Sequence, residues 1–440
     1  MAKVVIIGAG LGGLPTAYEL RHLLPKEHQV TLISDRPEFT FIPGLVRVAL
    51  NLNPLEDIQL DVPELTQRHG IEWILGKITD FDPETKRITV AENRIDYDYV
   101  AIATGASFAF DAVAGLGPEG GYTHSVCSPH HALDARTAWL KFLDNPRHLV
   151  VGAMAGVSCF GPAYEFLFMA EWELRRRGLR EQVSITFVTP EPYLGHLGLD
   201  GLSNSQKLTE NLMKKRGIEA ITNAQITSVD AENIALDDGR KLPFEYAMIL
   251  PAFRGVDFIQ KVPGLGNEEG FIPILPTYEH PQFSSVYALG VSVELPDNKA
   301  ISGLGLPKTG QMTEAMGLAV THNIGVKLGA IKDSLKTPTL EAICFAEFGD
   351  TGIVYVAAPV LPDPKTGKRR YSYALQGRWV NWAKAAFEKY FILKMKLGWG
   401  LPWFEIWGLR IFCGLSLLKN CDSVQEQALN KNSLKPSIKV

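Results

Sequence analysis

A glycine-rich turn near the N-terminus constrains the fold of this chain more than any other feature of its sequence. Gly8-Ala9-Gly10-Leu11-Gly12-Gly13 fits the pattern GxGxxG and directly follows an apolar run, Val4–Ile7. Glycines at this spacing allow a tight turn and let a pyrophosphate approach the backbone at a helix N-terminus. A second apolar run ends at Ser34 and Asp35, and either side chain is a candidate to bind a ribose hydroxyl. The N-terminal segment therefore predicts a β-α-β unit that binds a dinucleotide.

The length of the chain requires more than one packed unit. Its 440 residues exceed the roughly 250–300 residues at which a single hydrophobic core stops growing. A second strand-to-helix transition starts at His148–Gly152, and a short strand is predicted far downstream at Ser285–Leu289. We predict an α/β protein with two Rossmann-like dinucleotide-binding domains, similar to flavin disulfide reductases, and a C-terminal amphipathic-helix region. The predicted bounds are 1–112 with 285–330, then 113–284, then 331–440.

The composition excludes several classes of protein. Hydrophobic residues make up 46% of the chain, too many for intrinsic disorder. A formal net charge of −4, with no basic block longer than 368–370, argues against a nucleic-acid partner. The cysteines and histidines match no metal-site spacing. Because the apolar run at 4–7 is needed as a strand, we expect no cleaved signal peptide.

Three later segments favour FAD as the dinucleotide. Ile102-Ala103-Thr104-Gly105 and Tyr287-Ala288-Leu289-Gly290 resemble flavin-contacting segments of flavoproteins with two dinucleotide-binding domains. Pro307-Lys308-Thr309-Gly310-Gln311-Met312 predicts a helix N-terminus. The partial positive charge of such an N-terminus suits the pyrimidine edge of a flavin, where negative charge develops on reduction.

The second half lacks the features of a nicotinamide site. Where GxGxxG is expected, the chain reads Gly152-Ala153-Met154-Ala155-Gly156-Val157-Ser158-Cys159, which keeps only part of the loop. The next strand, Ser184–Val188, is followed by Thr189 and Pro190 and not by an acid for the adenosine ribose. NAD(P)H binding is therefore disfavoured.

A flavoprotein without a nicotinamide site needs another electron donor. Thiolates are both nucleophiles and leaving groups, so a cysteine pair beside a flavin can accept a sulfur nucleophile and pass two electrons on. Cys159, Cys344 and Cys127 are the candidates, and packing as a small buried hydrophobe is the alternative for each. Cys413 and Cys421 are assigned no role.

The C-terminal region is rich in tryptophan and lysine. Five of the eight tryptophans follow residue 375, and the apolar positions of Trp379–Leu397 fall near helical spacing. The more apolar segment Leu401–Leu418 is interrupted by Pro402, Glu405 and Arg410, so it falls short of the ~20 residues of a membrane-spanning helix. Tryptophan and lysine together favour peripheral attachment to a membrane surface. Packing on the protein body or on a dimer partner is the alternative.

With these motifs, the chain resembles the sulfide:quinone oxidoreductases of the membrane-bound bacterial type. The resemblance covers nearly the whole length, and the segment at 152–165 is its most specific part. The matching segments are GAGLGG (8–13), ISDRPEF (33–39), SVCSPHHA (125–132), GAMAGVSCFGPAYE (152–165), EPYLGHLG (191–198), PKTGQM (307–312), AICFAEFGD (342–350) and GRWVNWAKAAFEKYFILKMKLG (377–398).

The resemblance implies roles on the sulfur side of a flavin. Cys159 and Cys344 would form a redox-active pair bridged by sulfur, and Cys127 would assist in sulfur handling. His131 and His196 match family histidines that could manage protons, with a purely structural role as the alternative.

The resemblance also implies a quinone site on the other face of the flavin. Phe345 and Phe387 would sandwich the quinone ring, and Lys384 and Glu165 would be candidates for its protonation. The partners would be sulfide, a membrane quinone (ubiquinone, plastoquinone or menaquinone) and the membrane surface, with a homo-oligomer as a further expectation.

Three other functions compete with this interpretation. A single-subunit NADH:quinone oxidoreductase would need the second glycine loop and the ribose acid. The flavin subunit of a flavocytochrome c sulfide dehydrogenase would normally carry an export signal. A flavin-binding redox sensor without turnover would not need three cysteines beside the flavin motifs.

Overall fold

The computed structural model describes residues 1–295, 304–363, 365–412 and 414–421. The α-helices, labelled α1 to α10 in chain order, are Gly13–Leu23, Leu45–Ala49, Val62–Arg68, Pro129–Phe142, Gly161–Arg176, Ser205–Lys215, Asp257–Lys261, Gly310–Lys327, Trp379–Lys396 and Trp403–Phe412. The strands β1 to β13 are Lys3–Ile7, Gln29–Ser34, Glu38–Thr40, Gln59–Asp61, Glu72–Leu75, Ile78–Asp82, Arg87–Val90, Asn93–Asp96, Tyr99–Ile102, Ser107–Phe108, His148–Ala153, Ser184–Val188 and Glu219–Ile221. The strands β14 to β26 are Ile226–Val229, Asn233–Leu236, Lys241–Pro243, Tyr246–Leu250, Phe253–Arg254, Ile272–Pro273, Val286–Ala288, Val293–Glu294, Lys336–Pro338, Ala342–Glu347, Gly352–Ala358, Tyr371–Gln376 and Leu418–Asn420.

The first sheet is parallel and has the strand order β20-β9-β1-β2-β5. Its central strands are nearly continuous apolar runs, as expected for a sheet covered on both faces. The long helices α1 and α8 pack against each other beside it. The strand far downstream, β20, joins this sheet next to β9.

The second sheet is also parallel and has the order β13-β12-β11-β17. Helices α4 and α5 pack on it. Both helices begin with strong local signals: Ser128 caps α4 by accepting a hydrogen bond from the backbone N–H of His131, and each helix has proline in its first turn. These starts position the residues that precede each helix.

A third sheet carries the C-terminal part of the chain. Its strands β23, β24 and β25 are antiparallel, and α9 packs on β23 and β24. The segment predicted at 401–418 is helical only over Trp403–Phe412, and the chain then returns as β26 to pair with β22. Within the described ranges, no helix is long and apolar enough to cross a membrane.

The predicted fold class is confirmed. Two parallel sheets with flanking helices occupy the regions where the two dinucleotide-binding folds were expected, and helices follow near the C-terminus.

Candidate active site

The first glycine turn brings backbone and helix into close contact. A Cβ atom at Gly13 would lie 1.7 Å from the carbonyl oxygen of Gly8, and one at Gly8, whose φ is +105°, would lie 2.5 Å from that of Ala103. At Gly12 a Cβ would lie 2.7 Å from the side chain of Leu289. At Gly10, by contrast, no atom lies within 4 Å of the added Cβ. The turn is therefore closed on the protein side and open where a pyrophosphate would approach.

Polar groups surround this opening. The hydroxyl of Ser34, at the buried end of β2, donates to the carbonyl oxygen of Arg36 (2.8 Å), while Asp35 is exposed. The buried hydroxyl of Thr104 has no hydrogen-bond partner among the described residues. Gly105, which follows it, has φ +72°. An unpaired buried hydroxyl beside the glycine turn fits a polar cofactor, because such groups are otherwise costly.

The start of α8 forms the other side of the opening. Thr309 caps the helix by accepting from the backbone N–H of Met312 (3.3 Å), and Gly310 is its first residue. The ammonium of Lys308 donates to the carbonyl oxygens of Val291 (3.1 Å) and Val293 (2.5 Å). Burial lowers the pKa of Lys308 to about 8.

Gly290 lies directly under this helix start. Its φ is +75°, and an added Cβ would lie 3.1 Å from Cγ2 of Thr313. A side chain at this position would therefore be strained and crowded.

Cys159 and Cys344 come from distant parts of the chain and border one small space. Cys159 precedes α5, and its thiol accepts a hydrogen bond from the backbone N–H of Gly161. Cys344 lies in β23, opposite Tyr355 of β24. A Cβ atom at Gly161 would lie 3.4 Å from Sγ of Cys159 and 3.6 Å from Sγ of Cys344. Both thiols are free.

Burial raises the pKa of both thiols. It raises the pKa of Cys159 to about 11, against the effect of the Gly161 N–H, which favours the thiolate. Burial also raises the pKa of Cys344 above the usual range of a thiol, and the proximity of Cys159 adds to this effect. The helix N-terminus beside Cys159 favours a thiolate there.

Neighbouring residues of β23 face opposite sides of the sheet. Phe345 therefore points away from the side on which Cys344 lies. Phe345 packs with Ile343 against a buried cluster formed by Val354, Val356 and Val380. One strand thus separates a sulfur side from an aromatic side.

A buried ion pair joins α5 and α9, and the charge of Glu165 opposes ionisation of both Cys159 and Cys344. The ammonium of Lys384, from α9, donates to the carboxylate of Glu165, from α5, and both side chains are buried. Burial raises the pKa of Glu165, and the ammonium of Lys384 opposes that rise. Nearby, Arg47 pairs with Glu347 (2.6 Å).

Phe387 lies one turn after Lys384 and is partly exposed. Its ring centroid is 6.2 Å from that of Phe41 and 6.0 Å from that of Phe391. No ring contact joins it to Phe345 in the part of the chain that the structure describes, so the two rings do not close on each other.

Cys127 and His131 lie together at the start of α4. Burial raises the pKa of Cys127 to about 12, and Ser125 beside it opposes the rise. The ring of His131 packs on Phe108 (5.6 Å) and Phe110 (5.4 Å). Burial lowers the pKa of His131. The hydrogen bonds and ring contacts that the described residues give Cys127 and His131 are made with other residues than Cys159 and Cys344.

His196 lies in a buried loop that adjoins the start of α8. Its Nδ1 accepts from the backbone N–H of Gly198 (3.2 Å), and its Nε2 is 3.8 Å from the carboxylate of Asp200. Burial lowers the pKa of His196. A Cβ atom at Gly198 would lie 2.4 Å from the carbonyl oxygen of Gly305.

No role was predicted from the sequence for Glu191. The residues considered as ribose ligands after β12 were Thr189 and Pro190, and Glu191 is the next residue. Glu191 is fully buried, and its carboxylate accepts from the hydroxyl of Tyr164 (2.7 Å) and the backbone N–H of Leu197 (2.7 Å). It therefore faces the protein interior and is not free for a ribose. The only signal in the sequence was an acid between two prolines in a segment of otherwise weak polarity.

The C-terminal helices expose large aromatic side chains. Trp382 is 79% exposed, Trp403 77% and Trp407 59%. The lysines of α9 differ from the expected polar face, because Lys384 and Lys394 are buried while Lys389 and Lys396 are exposed. Cys421 is partly buried, and Cys413 lies outside the described residues.

Comparison with known proteins identifies the family. Residues 2–293 match the pyridine nucleotide-disulphide oxidoreductase family. The sulfide-quinone reductase of Aquifex aeolicus is 37% identical over 96% of this chain and 98% of its own. The X-ray structure of the sulfide:quinone oxidoreductase from the same bacterium superimposes with a TM-score of 0.90 at 34% identity, again over 96% of this chain and 98% of that one.

A more distant relative points the same way. The mitochondrial sulfide:quinone oxidoreductase of Dictyostelium discoideum is 22% identical over 79% of this chain and 78% of its own. With these relatives, the chain belongs to the sulfide:quinone oxidoreductase family.

Proposed function

We propose that this protein oxidises sulfide at Cys159 and Cys344 and passes the electrons through FAD to a membrane quinone. The observation that carries the proposal is the space beside Gly161. A Cβ atom built at this residue would lie 3.4 Å from Sγ of Cys159 and 3.6 Å from Sγ of Cys344. Two thiols from distant segments, next to a dinucleotide-binding turn, suit two-electron sulfur chemistry. The incomplete second glycine loop argues against NADH as the donor.

FAD would be held by the first domain. The open backbone at Gly10 and the helix N-terminus at Gly12 and Gly13 would bind the pyrophosphate, with Gly8 closing the turn. Ser34 or Asp35 would bind the ribose. When bound, FAD supplies a two-electron acceptor for sulfur and a donor for quinone.

Other residues would position the flavin ring. Thr104 offers an unpaired buried hydroxyl, and Gly105 and Gly290 let the backbone approach closely. Lys308, Thr309 and Gly310 would bring the N-terminus of α8 to the flavin ring. This arrangement would stabilise negative charge there.

On the sulfur side, sulfide would attack the sulfur bridge between Cys159 and Cys344, forming one S–S bond on Cys159 and breaking another to release the Cys344 thiolate. Closing the bridge again around the added sulfur would give up two electrons, which FAD would accept when bound, and would leave sulfane sulfur or polysulfide as the product. Each hydrogen sulfide gives up two electrons and two protons. His196 and His131 are candidates to accept these protons, because their lowered pKa values keep both rings neutral at pH 7. Cys127 would assist in sulfur handling.

On the quinone side, Phe345 and Phe387 would hold the ring. Lys384 and Glu165 would supply protons to the quinone as it is reduced, because they form a buried, hydrogen-bonded ion pair of a proton donor and a proton acceptor.

The exposed tryptophans of α9 and α10 would attach the protein peripherally to a membrane, where quinone dissolves. The domain bounds 1–112 with 285–330, 113–284 and 331–440 belong to the same proposal.

Steady-state turnover tests this function. Purified protein supplemented with FAD should reduce a short-chain quinone with sulfide as donor and should show no comparable rate with NADH. A rate with NADH and none with sulfide would refute the proposal.

A further inference from the structure

Glu191 is a buried carboxylate with its own hydrogen-bond network. Oε2 accepts from the hydroxyls of Tyr164 (2.7 Å) and Thr189 (2.8 Å), and Oε1 accepts from the backbone N–H of Leu197 (2.7 Å). No lysine, arginine or histidine of the described segments forms an ion pair with it. A buried carboxylate held by neutral donors alone is uncommon, because removing a charge from water is costly unless it is paired.

The network ties the loop 193–198 to the first turns of α5. The hydroxyl of Tyr164 accepts from the backbone N–H of Gly195 (2.9 Å) while it donates to Glu191. Leu197, bound directly by Glu191, follows His196 in the chain. The same helix begins two residues after Cys159. Glu191 therefore joins the loop that carries His196 to the helix that Cys159 precedes.

The titratable groups that face Glu191 are all acids. They are Tyr164 of α5, Cys159 in the loop before it, Tyr193 in its own loop and Tyr355 of β24. The negative charge of Glu191 disfavours ionisation at each of them. Tyr355 lies opposite Cys344. The charge of Glu165 also opposes ionisation of Cys159, so Glu191 is the second carboxylate that acts on this thiol.

We infer that Glu191 is a positioning residue of the sulfur site, whose buried carboxylate fixes the loop bearing His196 against α5 and places a negative charge beside Cys159. The inference rests on the proposed function, because it gives Glu191 a role in preparing Cys159 for sulfur.

The charge of Glu191 couples its protonation to the ionisation of Cys159. Two buried negative charges repel each other, so ionisation of Cys159 makes protonation of Glu191 more favourable, and protonation of Glu191 eases ionisation of Cys159. A proton that leaves sulfur in this site can therefore be retained by the carboxylate without any change in net charge.

Alkylation of Cys159 tests the electrostatic part. The enzyme is treated with cyanide and then a thiol reductant to remove sulfane sulfur, and the rate of Cys159 alkylation by iodoacetamide is measured at pH 8 by peptide mass spectrometry. Glu191→Gln keeps an acceptor for Leu197 and removes the charge. We expect alkylation about tenfold faster, corresponding to an ionisation midpoint about one pH unit lower.

Two variants serve as controls. Glu191→Asp keeps the charge, and Glu232→Gln removes an exposed carboxylate, so both should alkylate at the wild-type rate. An unchanged or slower rate in Glu191→Gln, with the flavin spectrum intact, overturns the inference.

Tyr164→Phe tests the positioning part if Glu191→Gln does not fold. This variant removes the bridging hydroxyl but keeps the charge. Hydrogen exchange at the amides of Gly195 and Leu197 should become faster, while the alkylation rate of Cys159 should stay at the wild-type value. Unchanged exchange at both amides would overturn the inference.

Neither the alkylation measurement nor the hydrogen-exchange measurement requires turnover. A failure of the role of Glu191 can therefore be distinguished from a failure of the proposed function. Missing sulfide:quinone turnover in the wild type refutes the proposed function. Intact turnover together with wild-type alkylation in Glu191→Gln refutes the role of Glu191 alone.

Discussion

The ion pair of Glu165 and Lys384 joins residues 219 positions apart in the chain. Each charge is removed from water, and each relies on the other to compensate for that loss. Under the proposed function, the same contact would serve both stability and proton supply to a quinone.

Replacing Lys384 alone should lower the free energy of unfolding more than replacing Lys384 and Glu165 together. Lys384→Met leaves Glu165 buried without its cation, and we expect a loss of about 3–5 kcal/mol in the free energy of unfolding. The double variant with Glu165→Gln should regain most of that loss, while quinone reduction stays slow. Urea denaturation and steady-state rates measure the two effects.

Lys389→Met is the matched control, since this lysine is exposed on the same helix. It should change the free energy of unfolding by less than about 0.5 kcal/mol. If Lys384→Met were as stable as this control, the ion pair would not have the importance given to it here.

Sequence patterns predicted single residues only where the signal was local. Cys159 was identified because it stands in a degenerate glycine loop next to a helix start. Cys344 was one of two further candidates, and its pairing with Cys159 came from family resemblance, because no spacing or periodicity connects β23 to that loop. Glu191 was missed because an acid just past a strand end gives no local sign that it turns inward.

At the scale of elements, helix α9 has a buried face and an exposed face with different residues. Its inner face carries Lys394, which is fully buried and pairs with Glu314 of α8 (2.5 Å) and Glu405 of α10 (3.2 Å). Its outer face carries Trp382. Helical periodicity predicted the helix but not this division of its lysines, because burial of a lysine depends on carboxylates supplied by other helices.

Loss of the exposed tryptophans should weaken membrane attachment. The triple variant Trp382→Ser, Trp403→Ser, Trp407→Ser should bind vesicles of phosphatidylethanolamine and phosphatidylglycerol at least about tenfold more weakly in a sedimentation assay. Its rate with a water-soluble quinone should remain close to that of the wild type, since these side chains point away from the body.

Serine at Leu75 and Tyr122, which are 51% and 50% exposed elsewhere on the protein, provides the comparison. These two substitutions should leave vesicle binding unchanged. Equal weakening in both variants would show that general surface hydrophobicity, and not the two helices, determines attachment.

At the scale of the whole molecule, the fold separates two chemistries with one strand. Cys344 and Phe345 are neighbours in β23 and face opposite sides. Under the proposed function, β23 would separate the sulfur chemistry at Cys344 from the quinone at Phe345, and sulfide and quinone would stay apart. The fold class could be predicted from glycine turns and apolar runs. The third sheet could not, although its consecutive strands pair, because β24 is buried at every position and periodicity cannot distinguish such a continuous apolar run from a buried helix.

Burial of Glu191 should make global stability depend on pH. Burial raises the pKa of Glu191 to about 7 from its usual 4.5, so the folded state binds the proton more tightly than the unfolded state. The contribution of the Glu191 carboxyl to the free energy of unfolding is complete below pH 4.5 and is lost as the pH rises through 7. Glu191→Gln should flatten the resulting decline in unfolding free energy between pH 5 and 8 by about 3 kcal/mol.

Urea denaturation at each pH, with FAD in excess, measures this decline. Glu232→Gln should follow the wild-type curve. A Glu191→Gln variant with the same slope as the wild type would contradict the assignment of a perturbed carboxyl.

The most direct test of the central claim is the anaerobic absorbance of the bound flavin during titration with sulfide. Sulfide should bleach the wild-type flavin, and added quinone should restore its absorbance. Cys159→Ser and Cys344→Ser should keep the bound flavin but not bleach with sulfide. Bleaching in both variants at the wild-type rate, or bleaching of the wild type by NADH and not by sulfide, would contradict the account.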